Sequence, residues 1–375
     1  MIFPPIEDAF REAVAQGVFP GAVVLVGKGE EVVYQGAFGL RSVLPEKSPM
    51  QLDTIFDLAS LTKPLATATA MMLLLREKKI RLDDRVTRFF PNFGVLGKTH
   101  VTFRHLLAHC SGLPGWKPYY EDIMKGENEG KINFIASRAA KSYVFERIHR
   151  EKSMSPAGSQ TLYSDLGFIL LGEIVEEISG WPLDRYCQEK IFKPMGLRSI
   201  SFIDLTQLRT RRLHPVREMI APTEQCPWRK KVLCGEVHDD NAYVMGGVAG
   251  HAGLFSSAQD IHIFLTQLRR GLRGEDSFLP QPVVQEFLRR DETVKGSTYA
   301  LGWDTPSAER SSSGSYFSPD SVGHLGFTGT SIWWDLEKDC HIVLLSNRIH
   351  PSRSSDKIQS FRPYIHDLIM KTIHP

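Results

Sequence analysis

Apolar and polar positions along the chain alternate between two periods. Residues 6–16 carry apolar side chains at helical spacing, and Gly17 with Phe19-Pro20-Gly21 closes the predicted helix. Residues 22–26 and 31–35 are β-rich runs joined by Gly27-Lys28-Gly29-Glu30, which predicts a hairpin. An apolar stretch, Ile55-Phe56-Asp57-Leu58-Ala59, leads through Ser60 into a long apolar segment, 64–75, read as a helix. From Ile80 to Arg290 the pattern is mainly helical and loop-rich, with helices expected at 103–110, 166–178, 183–191, 258–270 and 282–290. Strand patterns return at 300–303, 331–335 and 341–345, and a helix at 364–373 closes the chain. The serine-rich run 311–315 reads as a flexible loop. This order predicts an α+β fold: a mostly antiparallel sheet built from both chain ends, flanked by helices, with a large helical insert. The expected division is residues 1–78 and 292–375 for the sheet part and 79–291 for the helical part, with a cleft between them as the expected place of a functional site.

Composition narrows the functional classes. With 375 residues, 42% hydrophobic and 23% charged, the chain can bury a large core. A net charge of +2 gives no electrostatic case for nucleic acid. No apolar run is long enough to span a membrane. Five scattered cysteines without a C-x-x-C pair argue against a disulfide framework or a zinc site and suit a reducing compartment. The first eight residues lack a basic and then apolar leader pattern, so a cytoplasmic location is expected, or a periplasmic one if a leader has been removed.

The candidate chemistry centres on Ser60-Leu61-Thr62-Lys63. On a helix, residues three apart share a face, so Lys63 would lie beside Ser60. A serine hydroxyl needs a nearby base to act as a nucleophile, and a partly desolvated lysine can serve; burial is expected to favour the neutral amine. A second S-x-x-K, Ser354-Ser355-Asp356-Lys357, sits in a polar run and reads as a loop or helix cap.

Two further motifs follow in order: Tyr163-Ser164-Asp165 before the helix at Leu166, and His324-Leu325-Gly326-Phe327 before a strand near the C-terminus. The order S-x-x-K, Y-x-[ND], [KH]-x-G resembles the serine β-lactamase and penicillin-binding-protein superfamily, and specifically its class C-like branch of serine hydrolases and carboxylesterases. Residues 105–114, Trp181-Pro182-Leu183, 191–197 and 250–256 are similar to framework segments of that branch, so the resemblance runs from Gly21 to Asn347. It implies that Ser60 forms an acyl-enzyme. Lys63 would take or share its proton, and Tyr163 would be a second shuttle with its phenol pKa held down by positive charge. Asp165 would orient the pair, unless it only caps the helix. The N–H groups of Ser60 and Phe327 would form the oxyanion hole. In another register Ser164 would be the shuttle.

The third motif departs from the pattern, with His324 for Lys and Leu325 for Thr. Leu325 has no side-chain donor and His324 is only partly charged near neutral pH, which disfavours a clamp for a substrate carboxylate. His324, Leu325, Gly326 and His238 are expected to line the substrate site, with His238-Asp239-Asp240-Asn241 as a cleft-edge loop. His105 and His109 share helical spacing, but the Glu of H-E-x-x-H is absent, so a packing role is expected and no metal. Gly27-x-Gly29 lacks a third glycine, and no G-x-S-x-G is present. The reading is a cofactor-independent serine hydrolase acting on small-molecule esters, most simply a carboxylesterase. Its alternatives are a D-Ala-D-Ala-type peptidase or β-lactamase-like amidase, and a catalytically silent binding protein of the same fold. The sequence assigns no oligomeric state.

Overall fold

A computed structural model describes residues 3–128, 134–275 and 278–373; Met1 and Ile2, part of the segment read for a leader, lie outside them. A six-stranded antiparallel sheet forms the centre. Its spatial order is Ser48–Pro49, Glu31–Ser42, Gly21–Lys28, Cys340–Ser346, Ser331–Asp335 and Val322–Leu325. The N-terminal hairpin therefore pairs with the C-terminal strands, Val24 opposite Leu344.

Helices cover both faces of this sheet. Ala22, Val24 and Val26 point into a core shared with the first helix, Pro4–Ala15, and the last, Ile358–Ile373. Val23 and Leu25 point into the larger core, which runs continuously through the helices Thr69–Arg76, Asp165–Ser179 and Ala258–Leu272. Successive strand residues face opposite sides, so burial of both faces makes these strands apolar throughout.

Several local expectations are corrected. Residues 300–303 form no strand; the segment makes only isolated bridges at Tyr299 and Asp304. The edge strand is Val322–Leu325, so His324 lies on a strand instead of before one. A tryptophan-containing apolar run bounded by turns cannot by itself distinguish a buried loop from a strand. The helix expected at 103–110 ends at Leu107, because His109 takes a positive φ of 54°. Helices Tyr119–Asn128 and Arg138–His149 lie in a region whose pattern is too polar to have marked them.

Candidate active site

Ser60 stands at the head of its helix on a strained support. Ala59 has φ of 46°, a region in which a residue with a side chain is uncommon. Asp57 holds it there: one carboxylate oxygen accepts the Ala59 N–H at 2.9 Å and the other the His238 N–H at 2.7 Å. Burial pushes the Asp57 carboxyl upward, partly offset by these two amides. Thr328 and Thr330 donate to the Asp57 and Leu58 carbonyls at 2.7 and 3.1 Å, tying the strand turn after Gly326 to the base of Ser60. After Ser60 the helix widens into a π-type stretch, Lys63–Ala68, a form frequent at functional sites.

Lys63 is fully buried and donates to Ser60 Oγ at 2.8 Å. Its Nζ also lies 2.7 Å from Asp165 Oδ1, 3.4 Å from the His251 carbonyl and 4.7 Å from the Tyr163 ring centroid. Tyr163 lines the same cavity as Ser60 and interacts electrostatically with Lys63 and Ser60. Ser60, Lys63, Tyr163 and Asp165 are thus brought together.

The electrostatics differ from the sequence expectation in sign. Burial does act to lower the Lys63 pKa, but the Asp165 carboxylate and the Tyr163 hydroxyl outweigh it and hold the ammonium form. Burial likewise raises the Tyr163 phenol, and the neighbouring Lys63 charge offsets this only in part. The resting cluster is an ammonium–carboxylate pair beside a neutral phenol. The expected neutral amine and depressed phenol are both corrected, because a lysine paired at 2.7 Å keeps its proton despite burial.

Ser164, considered as a shuttle in the other register, is buried and already engaged. Its Oγ accepts from Gly167 N–H at 3.1 Å and donates to the Pro114 carbonyl at 2.7 Å. It is the N-cap of the Asp165–Ser179 helix, so Asp165 does not cap the helix. His109 Nδ1 accepts the Ser164 N–H at 3.0 Å, and its ring packs on Tyr163 and Tyr299 at 4.5 and 4.7 Å. His105 Nδ1 accepts the Thr102 N–H in a capping box. Both histidines of that pair serve local structure.

A cavity of about 1020 Å³ opens over Ser60, lined among others by Trp116, Tyr163, His238, Asp239, His324 and Phe327. Leu325 and Gly326 line it too. His324 is buried; its Nδ1 lies 2.8 Å from the Leu325 carbonyl, and burial followed by the Lys63 charge pushes its pKa down to about 3. It is neutral at pH 7, not partly charged as expected. His238 stacks on Phe327 at 5.7 Å and pairs with Glu224 at 3.1 Å. Asp239 and His251, which the motif order did not mark, meet at 2.9 Å. Burial works against the Asp239 charge, but His251 and the Ala242 amide hold its carboxyl well below the usual range. Among the described residues, the N–H groups of Ser60 and Phe327 have no acceptor within the protein, and both residues line the cavity.

This geometry can move a proton between a serine, a lysine and a tyrosine inside a substrate-sized cleft. The chain matches the Beta-lactamase family over residues 6–361 and belongs to it. It is a serine hydrolase of the β-lactamase and penicillin-binding-protein fold. A relative in Escherichia coli K12, named "Putative D-alanyl-D-alanine carboxypeptidase", is 33% identical over 354 residues, covering 88% of this chain and 79% of the relative. Two solved structures share the fold. EstCE1, a hydrolase with promiscuous acyltransferase activity, is 20% identical with a TM-score of 0.72, covering 97% of this chain and 98% of that one. The octameric penicillin-binding protein homologue of Pyrococcus abyssi is 23% identical with a TM-score of 0.72, covering 99% and 78%.

Proposed function

We propose that the protein hydrolyses small acyl esters through an acyl-enzyme on Ser60. The observation that carries this reading is the 2.8 Å contact of Lys63 Nζ with Ser60 Oγ, made by a lysine also joined to Tyr163 and Asp165. The reacting form has one proton fewer on the Lys63–Tyr163 pair than the resting form, and the pair titrates as a unit. It accepts the Ser60 proton as Oγ attacks the carbonyl carbon. The N–H groups of Ser60 and Phe327 hold the oxyanion. The proton passes to the leaving alkoxide as its C–O bond breaks. Water then attacks the acyl-enzyme with the same pair as base, and Ser60 leaves with a proton restored.

The ester preference rests on the third motif. Neutral His324 and apolar Leu325 offer no fixed cation or donor for a substrate carboxylate. The name of the Escherichia coli relative favours a second reading, a D-Ala-D-Ala carboxypeptidase. A panel of short p-nitrophenyl esters, a chromogenic cephalosporin and D-Ala-D-Ala peptides separates the two. Preferential ester turnover is expected, and faster peptide turnover would replace the first reading by the second. Intact-mass detection of a fluorophosphonate adduct on Ser60 tests the nucleophile; absence of the adduct would favour a silent binding protein. Five unpaired thiols support a cytoplasmic location, and among the described residues no helix is long and apolar enough to cross a membrane.

A further inference from the structure

The turn after Gly326 is held by two arginines that make no ion pair among the described residues. Within the turn, Gly326 N–H donates to the Thr330 carbonyl at 2.8 Å and Gly329 N–H to the Gly326 carbonyl at 3.0 Å. Arg362, from the C-terminal helix, reaches beneath it. Its Nη2 donates to the Gly326 carbonyl at 3.3 Å and the Thr330 carbonyl at 3.1 Å. Arg348, just past the Cys340–Ser346 strand, donates from Nε and Nη2 to the Phe327 carbonyl at 3.0 and 2.7 Å, and from Nη1 to the Ser355 carbonyl at 2.6 Å.

These contacts fix both peptide planes that flank the Phe327 Cα. A trans peptide is planar, with its C=O and N–H pointing in opposite directions. Anchoring the Gly326 carbonyl on the buried guanidinium therefore turns the Phe327 N–H away from Arg362. Anchoring the Phe327 carbonyl fixes the plane that follows. Gly326 is packed closely on this frame: a Cβ there would collide with Thr330 Oγ1 and lie 2.5 Å from the Leu58 carbonyl oxygen. We propose that Arg362 and Arg348 are positioning residues that lock the Phe327 amide toward the oxyanion formed at Ser60; this rests on the oxyanion-hole reading above.

A guanidinium buried without a carboxylate bears a desolvation cost that no ion pair offsets. Arg362 is only 6% exposed. Burial, followed by repulsion from Arg348, pushes its pKa down to about 10, which leaves it cationic at neutral pH. The donors named above are committed to backbone carbonyls, while Arg362 Nε is buried without a partner among the described residues and both arginines line the cavity, so a carboxylate-bearing substrate is included below to separate positioning from capture of an anion.

The test compares Arg362→Gln, Arg348→Gln and Arg348→Lys with wild type. It uses a neutral p-nitrophenyl ester, a carboxylate-bearing p-nitrophenyl ester, and a neutral alkylboronic acid whose adduct places an oxygen in the hole. Loss of a single oxyanion donor costs about 100- to 1000-fold, so loosening one should lower kcat on both esters by about 10- to 100-fold. KM should stay within about threefold, since the interaction belongs to the transition state. Boronate affinity should fall by the same factor as kcat, with partial recovery in Arg348→Lys. Should Arg362→Gln fail to fold, the half-buried Arg348 carries the test alone. Unchanged kcat and boronate affinity would overturn the proposal, as would a loss confined to KM of the carboxylate ester. If wild type is neither labelled by a fluorophosphonate nor inhibited by the boronate, the acyl-enzyme reading and this one fall together. Labelled wild type with unaffected arginine variants sinks only the clamp.

Discussion

Replacing Asp165 by Asn preserves shape and removes the counter-charge of a fully buried ammonium. At the observed 2.7 Å and an effective dielectric of about 20, Coulomb's law gives an attraction of about 6 kcal/mol. The Asp165 side chain keeps 18% exposure, so water screens part of this. The expected loss of stability is nearer the ~3–5 kcal/mol typical of removing one partner of a buried pair. Its pH dependence has a definite sign. In wild type the folded pKa of Lys63 is raised, so its stabilisation is complete below the unfolded value, about 10.4, and is lost as pH rises through the folded one. In Asp165→Asn burial of the amine remains while its principal counter-charge is gone, so the folded pKa falls. The cost is then largest at low pH and is relieved as pH rises. Urea unfolding at several pH values between about 7 and 10 should show the gap to wild type narrowing upward. The pH–rate profile for a neutral ester, blanked with Ser60→Ala, should move toward acid, because the Lys63–Tyr163 pair gives up its proton more readily. The double variant Lys63→Met, Asp165→Asn should recover much of the stability, since it removes both charges. Equal urea midpoints for Asp165→Asn and wild type, with superimposed pH–rate profiles, would refute the reasoning.

Three further outcomes are expected. Ser60→Ala should lower ester turnover by several orders of magnitude with unchanged unfolding, while Ser354→Ala, in the exposed second S-x-x-K, should leave kcat/KM within about twofold; steady-state kinetics on both decides. Lys63→Met and Tyr163→Phe should each be severe and the double variant little worse than either, since groups acting as one unit are strongly non-additive; multiplying effects in the cycle would contradict a shared proton. The ratio of β-lactam to ester kcat/KM should be low and flat from about pH 5 to 8, because burial keeps His324 neutral there, and should rise in His324→Lys, Leu325→Thr; a wild-type ratio that climbs as pH falls would return a charge to His324.

Much of the architecture was legible because its signals are local or ordered. The hairpin, the Ser60 helix, the helix after Asp165 and the strands near 331 and 341 each carry a period that burial imposes. The edge strand Val322–Leu325 did not, since its four residues include Gly323 and His324 and too few apolar positions to set a period. At the site, motif order identified the side chains that meet at Ser60. It could not supply Asp57, His109, Arg348 or Arg362, whose partners lie far off in sequence: 181 residues separate Asp57 from His238, and 36 separate Arg362 from Gly326. Nor could it predict the charge state. Apolar neighbours of Lys63 argue for a neutral amine, and only the distance to Asp165 reverses that inference.

That reversal bears on substrate preference as well as on pH. Lys63 is balanced by Asp165, Tyr163 is a neutral phenol, and burial keeps His109 and His324 neutral. Lys63, Asp165, Tyr163, His109 and His324 together therefore bring no net charge beside Ser60. Arg348 and Arg362, which hold the turn after Gly326, direct the donors named above into backbone carbonyls. A substrate carboxylate entering beside His324 would lose its hydration and meet no charge on that side chain, whereas an uncharged ester loses little; among the described residues, the cations lining the cavity are arginines, Arg310, Arg348, Arg353 and Arg362. His324 and Leu325, the two positions that depart from the family pattern, thus offer a carboxylate nothing beside Ser60, which supports the proposed preference for neutral acyl groups, and a carboxylate reader in this cleft would have to be one of its arginines.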